Sequence, residues 1–125
     1  MFDLATDLIS HQIINEFHAA GKIVAAVCHG PAALAFVKLP DGSPFIAGAK
    51  VTSFSNSEED AVGGTPEMPF LLETELNKAS GGGYVRGAED WTKHVVVDRD
   101  GKLITGQNPA SAYGVGEALL KSIQA

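Results

Sequence analysis

From Asp7 to Ala20 the apolar residues Ile9, Ile13 and Phe17 recur every four positions, with Ile14 beside them. That period marks one face of an amphipathic helix, and Gly21 is a stop signal. The next run, "KIVAAVC" from Lys22 to Cys28, is apolar on both faces. It predicts a central strand of a parallel sheet with helices above and below. Gly30-Pro31 follows; proline suits a first helical position, so Ala32–Val37 is expected to be helical.

Beyond the "LPDGSPF" turn, "AGAKVTSF" reads as a second strand and "NSEEDAV" as a short acidic helical turn. "TPEMPFLLETELNKAS" places Phe70, Leu71, Leu72 and Leu76 on a helix that "GGG" ends. "HVVVDRDGKLITG" predicts a β-hairpin, with Val95–Val97 and Lys102–Thr105 flanking a turn at Asp100-Gly101. "NPASAYGVGEALLKSIQ" predicts a last helix with Asn108 as N-cap and Pro109 at its first position. Helices and strands alternate without a repeat or linker, which predicts one α/β domain over residues 1–125.

Composition narrows the function. Of 125 residues 45% are hydrophobic, enough for a real core. Nine Lys and Arg against fifteen Asp and Glu give a net charge of −6, which disfavours nucleic acid and anionic membrane as partners. "MFDLATDLIS" carries Asp3 and Asp7 and no basic residue, unlike a secretory or mitochondrial leader. The apolar runs are too short to span a bilayer. The single cysteine cannot form an internal disulfide, so a reducing, cytoplasmic setting is expected.

That cysteine stands where the strand turns into the helix. A nucleophile on such a corner needs small residues two positions away on either side, as in Gly-x-nucleophile-x-Gly. Here the run is Ala26-Val27-Cys28-His29-Gly30. The following helix points its positive end at the sulfur and favours thiolate. The His29 backbone N–H is placed to stabilise an oxyanion, with Ala26 and Gly30 as the elbow's small residues. A lone cysteine is more often a buried hydrophobe, but this strand–Cys-His-Gly-Pro–helix context reverses that preference.

His29 needs a carboxylate to fix its tautomer. "SFSNSEED" follows the second expected strand, and parallel α/β sheets gather their sites at strand C-termini. Glu58, Glu59 and Asp60 compete for the role, and most such acidic runs are solvated turns. His11, His18, His94, Tyr84 and Trp91 read as structural, and "TGQNPAS" as a strand end feeding a helix. Adjacent Cys28 and His29 rarely converge on one metal ion, and no phosphate-binding glycine loop is present. Neither a metal nor a cofactor is expected.

"AAVCHGPAAL", "VTSFSNSEEDAVG", "PFLLETEL" and "LITGQNPAS" together resemble the ThiJ/PfpI superfamily, a class I glutamine-amidotransferase-like group. The resemblance is closest to the branch of the glyoxalase III enzymes and heat-shock holding chaperones. It implies a parallel-sheet, flavodoxin-like α/β sandwich with a C-terminal hairpin and helix. It implies Cys28 as nucleophile, His29 as adjacent triad histidine and Glu59 as the third member. It also implies further strands and helices ahead of Met1, supplying a glutamate for the thiol and a glycine N–H for the oxyanion hole. The chain is thus expected to be the C-terminal portion of such a domain.

The activity implied is cofactor-free conversion of a small 2-oxoaldehyde, methylglyoxal, to lactate, or related deglycase and amidase chemistry. The alternatives are a stress-related holding chaperone or redox-sensing binding protein, or an inactive fragment. The expected protein partner is a second copy of the chain, or a separate chain that complements its N-terminal side.

Overall fold

Asp7 starts the first helix, α1 (Leu8–Ala19), by accepting the N–H groups of Ile9 at 2.8 Å and Ser10 at 3.3 Å. These are two of the donors that a helix start leaves unpaired. Gly21, at φ +67°, supplies the left-handed turn that ends it. The computed structural model describes all 125 residues. After α1 come β1 (Val24–Val27), the one-turn α2 (Ala32–Ala35), α3 (Asn56–Ala61), α4 (Leu72–Ser80), β2 (Val95–Asp98), β3 (Leu103–Gly106) and α5 (Ala112–Gln124).

The sheet has the order β1-β3-β2 and is mixed. β1 runs parallel to β3, from Val24 opposite Leu103 to Val27 opposite Gly106, while β2 and β3 form the expected antiparallel hairpin. Strand alternation then divides the two faces. Val24, Ala26 and Leu103 join the main core with Leu34, Val37, Phe45, Ile46, Val51 and Leu76. On the other face Val27 and Gly106 meet Val115 of α5. The architecture is α/β, with the C-terminal hairpin and helix in the expected places.

Four local expectations are corrected. β1 is an edge strand, not a central one, because its only neighbour is β3. "AGAKVTSF" forms no laddered strand, only the isolated parallel bridge Val51–Tyr84. Its remaining donors go elsewhere: Lys50 N–H to Asp98 Oδ2, Thr52 N–H to Thr105 Oγ1 and Phe54 N–H to the Cys28 carbonyl. The expected helix from Thr65 is split by its prolines into a 3-10 turn, Thr65–Glu67, and α4. Helix α2 stops at Ala35 rather than Val37, whose carbonyl instead accepts the Phe45 N–H at 2.8 Å.

α1 buries no residue, and its Ile9, Ile13 and Phe17 stripe remains largely exposed; Ile14 alone of its apolar face packs on the main core. No helix is long and apolar enough to cross a membrane.

Candidate active site

Cys28 follows the last residue of β1 at φ +62°, a left-handed conformation that a non-glycine residue adopts at a cost of about 1–3 kcal/mol. Neighbouring backbone holds it there. Its N–H donates to the Gly106 carbonyl at 3.0 Å, and its carbonyl accepts from Phe54 N–H at 2.9 Å. The turn closes through Gly30 N–H to the Val27 carbonyl, also at 2.9 Å. A Cβ on residue 30 would lie 2.9 Å from that same carbonyl oxygen and 3.5 Å from the Ala26 Cβ. The glycine at position 30 is therefore a steric requirement of the corner. The His29 N–H makes no hydrogen bond within the chain.

The structure brings Cys28, His29 and Glu59 into one line. Cys28 Sγ lies 3.7 Å from His29 Nδ1, and His29 Nε2 lies 2.5 Å from Glu59 Oε2. The three competing carboxylates separate by direction. Asp60 is exposed and accepts from the Thr65 hydroxyl. Glu58 turns inward, away from His29, and Glu59 alone reaches the imidazole. Glu59 is presented by α3, whose start is fixed by a reciprocal cap between Ser55 and Glu58.

His29 sits between a sulfur and a carboxylate, and its pKa reflects both. The hydrogen bond to Cys28 raises it most; partial burial opposes; the bond to Glu59 and its charge raise it further, to about 9. Both neighbours favour the protonated ring at neutral pH. Phe54 leans on that ring with centroids 4.5 Å apart, and Trp91 meets Phe54 edge-on at 5.5 Å. Cys28 is half-buried and belongs to none of the surface cavities, the largest of which, about 540 Å³, lies between the end of α1 and α5.

The residues set aside as structural are used structurally. His94 donates its N–H to Ser111 Oγ, and its Nε2 pairs with the Val85 carbonyl. Tyr84 donates its hydroxyl to the Ser53 carbonyl at 2.6 Å. His11 Nε2 pairs with the Ala5 carbonyl, and His18 meets Phe45 edge-on. Asn108 makes no capping bond, contrary to expectation; its amide turns to Glu58 and to the Thr92 carbonyl. The residues that sequence reasoning passed over are Gly64, against the Glu59 carboxylate, and the buried partners of Glu58. The Ser55-x-x-Glu58 spacing was the available signal for the latter.

No protein-family model matches the chain. A glutathione-independent glyoxalase of Schizosaccharomyces pombe, however, is 32% identical over 130 residues, covering 99% of this chain and 52% of that protein. The solved structure of glyoxalase III from Candida albicans superposes with a TM-score of 0.86 at 30% identity, over 97% of this chain. Its homologues include glutathione-independent glyoxalases of the ThiJ/PfpI, glutamine-amidotransferase-like class. The solved structure of the 24 kDa rapid encystment protein of Francisella tularensis also matches, with TM-score 0.91, 37% identity and 98% of this chain covered. The chain spans about half the length of the relatives it matches, 52% of each of these three.

Proposed function

We propose that Cys28, His29 and Glu59 are the catalytic triad of a glyoxalase III-type enzyme that converts methylglyoxal to lactate without glutathione or a cofactor. The observation that supports this most is the Cys28–His29–Glu59 line on a strained elbow, in a chain whose relatives include glutathione-independent glyoxalases.

The Cys28 sulfur adds to the aldehyde carbon of methylglyoxal, forming a carbon–sulfur bond. The carbonyl electron pair moves to oxygen and takes the proton that His29 carries, giving a hemithioacetal. His29, now neutral, removes the hydrogen of that carbon, and the electron pair forms an enediolate with the negative charge on the former ketone oxygen. His29 returns that proton to the ketone-derived carbon, and the hydroxyl proton passes to the neighbouring alkoxide oxygen, giving a lactoyl thioester. Water then hydrolyses it, releasing lactate and restoring the thiol. The reaction is an internal redox exchange between two carbons of the substrate, so no external oxidant or reductant is needed. Glu59 keeps His29 Nε2 occupied, so that Nδ1 faces the sulfur and substrate. The free His29 N–H and the helix start behind it stabilise the developing oxyanion.

Deglycase and amidase reactions would use the same nucleophile and base. A holding-chaperone or redox-sensing role is the less favoured reading, because two of the three relatives above are named as glyoxalases. A cytoplasmic location belongs to the same proposal. The test is lactate formation from methylglyoxal by the purified chain without glutathione, with Cys28→Ala as control. Lactate lost in Cys28→Ala supports the proposal; none from the wild-type chain, or equal amounts from both, overturns it.

A further inference from the structure

Glu58 is fully buried, and no cation lies within ion-pairing distance of its carboxylate. Five neutral donors surround it instead. Oε1 accepts from Ser55 N–H at 3.0 Å, Ser55 Oγ at 2.8 Å and Gln107 Nε2 at 2.9 Å. Oε2 accepts from Trp91 N–H and Asn108 Nδ2, both at 2.9 Å. The two amides cannot turn round. Gln107 Oε1 already accepts Gly87 N–H, and Asn108 is held by the Thr92 carbonyl on its nitrogen and the Ser111 hydroxyl on its oxygen. The pocket therefore demands two acceptor atoms and tolerates no donor, which a carboxylate meets and an amide does not.

These donors belong to chain segments that the candidate site must hold together. Ser55 caps α3, whose next acidic residue, Glu59, reaches His29. Gln107 and Asn108 directly follow Gly106, whose carbonyl holds the Cys28 N–H. Trp91 brings the loop that packs on Phe54. We infer that Glu58 is a positioning residue, a buried carboxylate that locks the helix carrying Glu59 to the strand end that holds Cys28. Glu58 touches none of the three reacting side chains and acts through Glu59 and the elbow. The inference rests on the proposed triad for its relevance to catalysis, but its geometry is independent of the substrate.

The experiment follows the His29 ring by NMR across pH in the wild type, Glu58→Gln and Asp60→Asn. The wild-type midpoint is expected at about 9. Glu58→Gln should bring it down toward 6.5, by at least about one unit, a tenfold fall in proton affinity, as Glu59 moves off the ring. Asp60→Asn removes a charge from the exposed face of the same helix and should leave the midpoint in place. A Glu58→Gln protein that is folded but keeps the wild-type midpoint overturns the inference, since a purely structural role lowers only the melting temperature. An equal fall in Asp60→Asn overturns it too, by assigning the effect to charge. If Glu58→Gln does not fold, Gln107→Ala removes one of the five donors and keeps the carboxylate. An unshifted midpoint there also overturns it. Because titration needs no turnover, a chain inactive on methylglyoxal but showing these shifts loses the proposed reaction and keeps the positioning role.

Discussion

Gly64 has no room for a side chain, because the Glu59 carboxylate fills the space its Cβ would need. The same carboxylate bonds His29 through its other oxygen. Gly64→Ala should therefore push Glu59 away from the imidazole while the rest of the chain stays folded. Misplacing a catalytic group by about 1 Å can cost on the order of 100-fold in rate, so a loss of that size in kcat is expected. Steady-state kinetics on methylglyoxal measures it, and wild-type turnover in Gly64→Ala would disprove the coupling.

His29→Ala and Glu59→Gln should each lower turnover, and the double variant should lose little more than His29→Ala alone. Glu59 can act only through the ring it holds, so removing the ring removes its effect. Losses that multiply would mean that Glu59 has a role of its own.

Two groups set opposite pH limits on stability. The folded state holds the His29 proton more tightly than the unfolded chain, with the pKa raised from 6.5 to about 9. Its stabilisation is complete below 6.5 and is lost as pH rises through about 9. Burial alone would raise the Glu58 pKa, but the hydrogen bonds from Trp91, Asn108, Ser55 and Gln107 together outweigh this and lower it from 4.5 to about 2. Its stabilisation is complete above 4.5 and is lost as pH falls through about 2, an effect on the order of 3 kcal/mol. Urea titrations should show His29→Ala flattening the alkaline decline and Glu58→Gln the acid one. The reverse pattern would refute both assignments.

β1 has a neighbour on one side only, and Ile9, Ile13 and Phe17 of α1 are 70%, 51% and 48% exposed. The Val24 and Cys28 N–H groups point to β3, so strand alternation turns those of Ala25 and Val27 to the open edge. An unpaired edge beside apolar side chains is a template for another chain. The chain is expected to self-associate at low micromolar concentration, and Ile13→Lys should weaken that association. Sedimentation velocity measures both; a monomer across the whole concentration range would contradict the expectation.

The elbow was legible in the sequence because its steric demand is local: a Cβ at Gly30 would run into the backbone of Val27, three residues back. The hairpin was legible for the same reason. Strand neighbours are not local, and β1 reads as central from its two apolar faces although only β3 pairs with it. The segment at Lys50–Phe54 is extended and largely buried, as its residues suggest, but side chains of Asp98 and Thr105 take the donors that a ladder would use. Among Glu58, Glu59 and Asp60 the residues alone left the choice open. Successive positions on a helix point about 100° apart, so the cap at Ser55 decides which one faces His29.

Trp91 is the only tryptophan in the chain. Its backbone is anchored by Glu58 at 2.9 Å, and its ring reaches His29 through Phe54 in two aromatic contacts. Indole emission responds to the charge and polarity around it, so a change of charge at His29 would fall two aromatic contacts from a single native fluorophore. The protein carries an optical reporter of its own candidate site, and stopped-flow fluorescence can follow events there without a label.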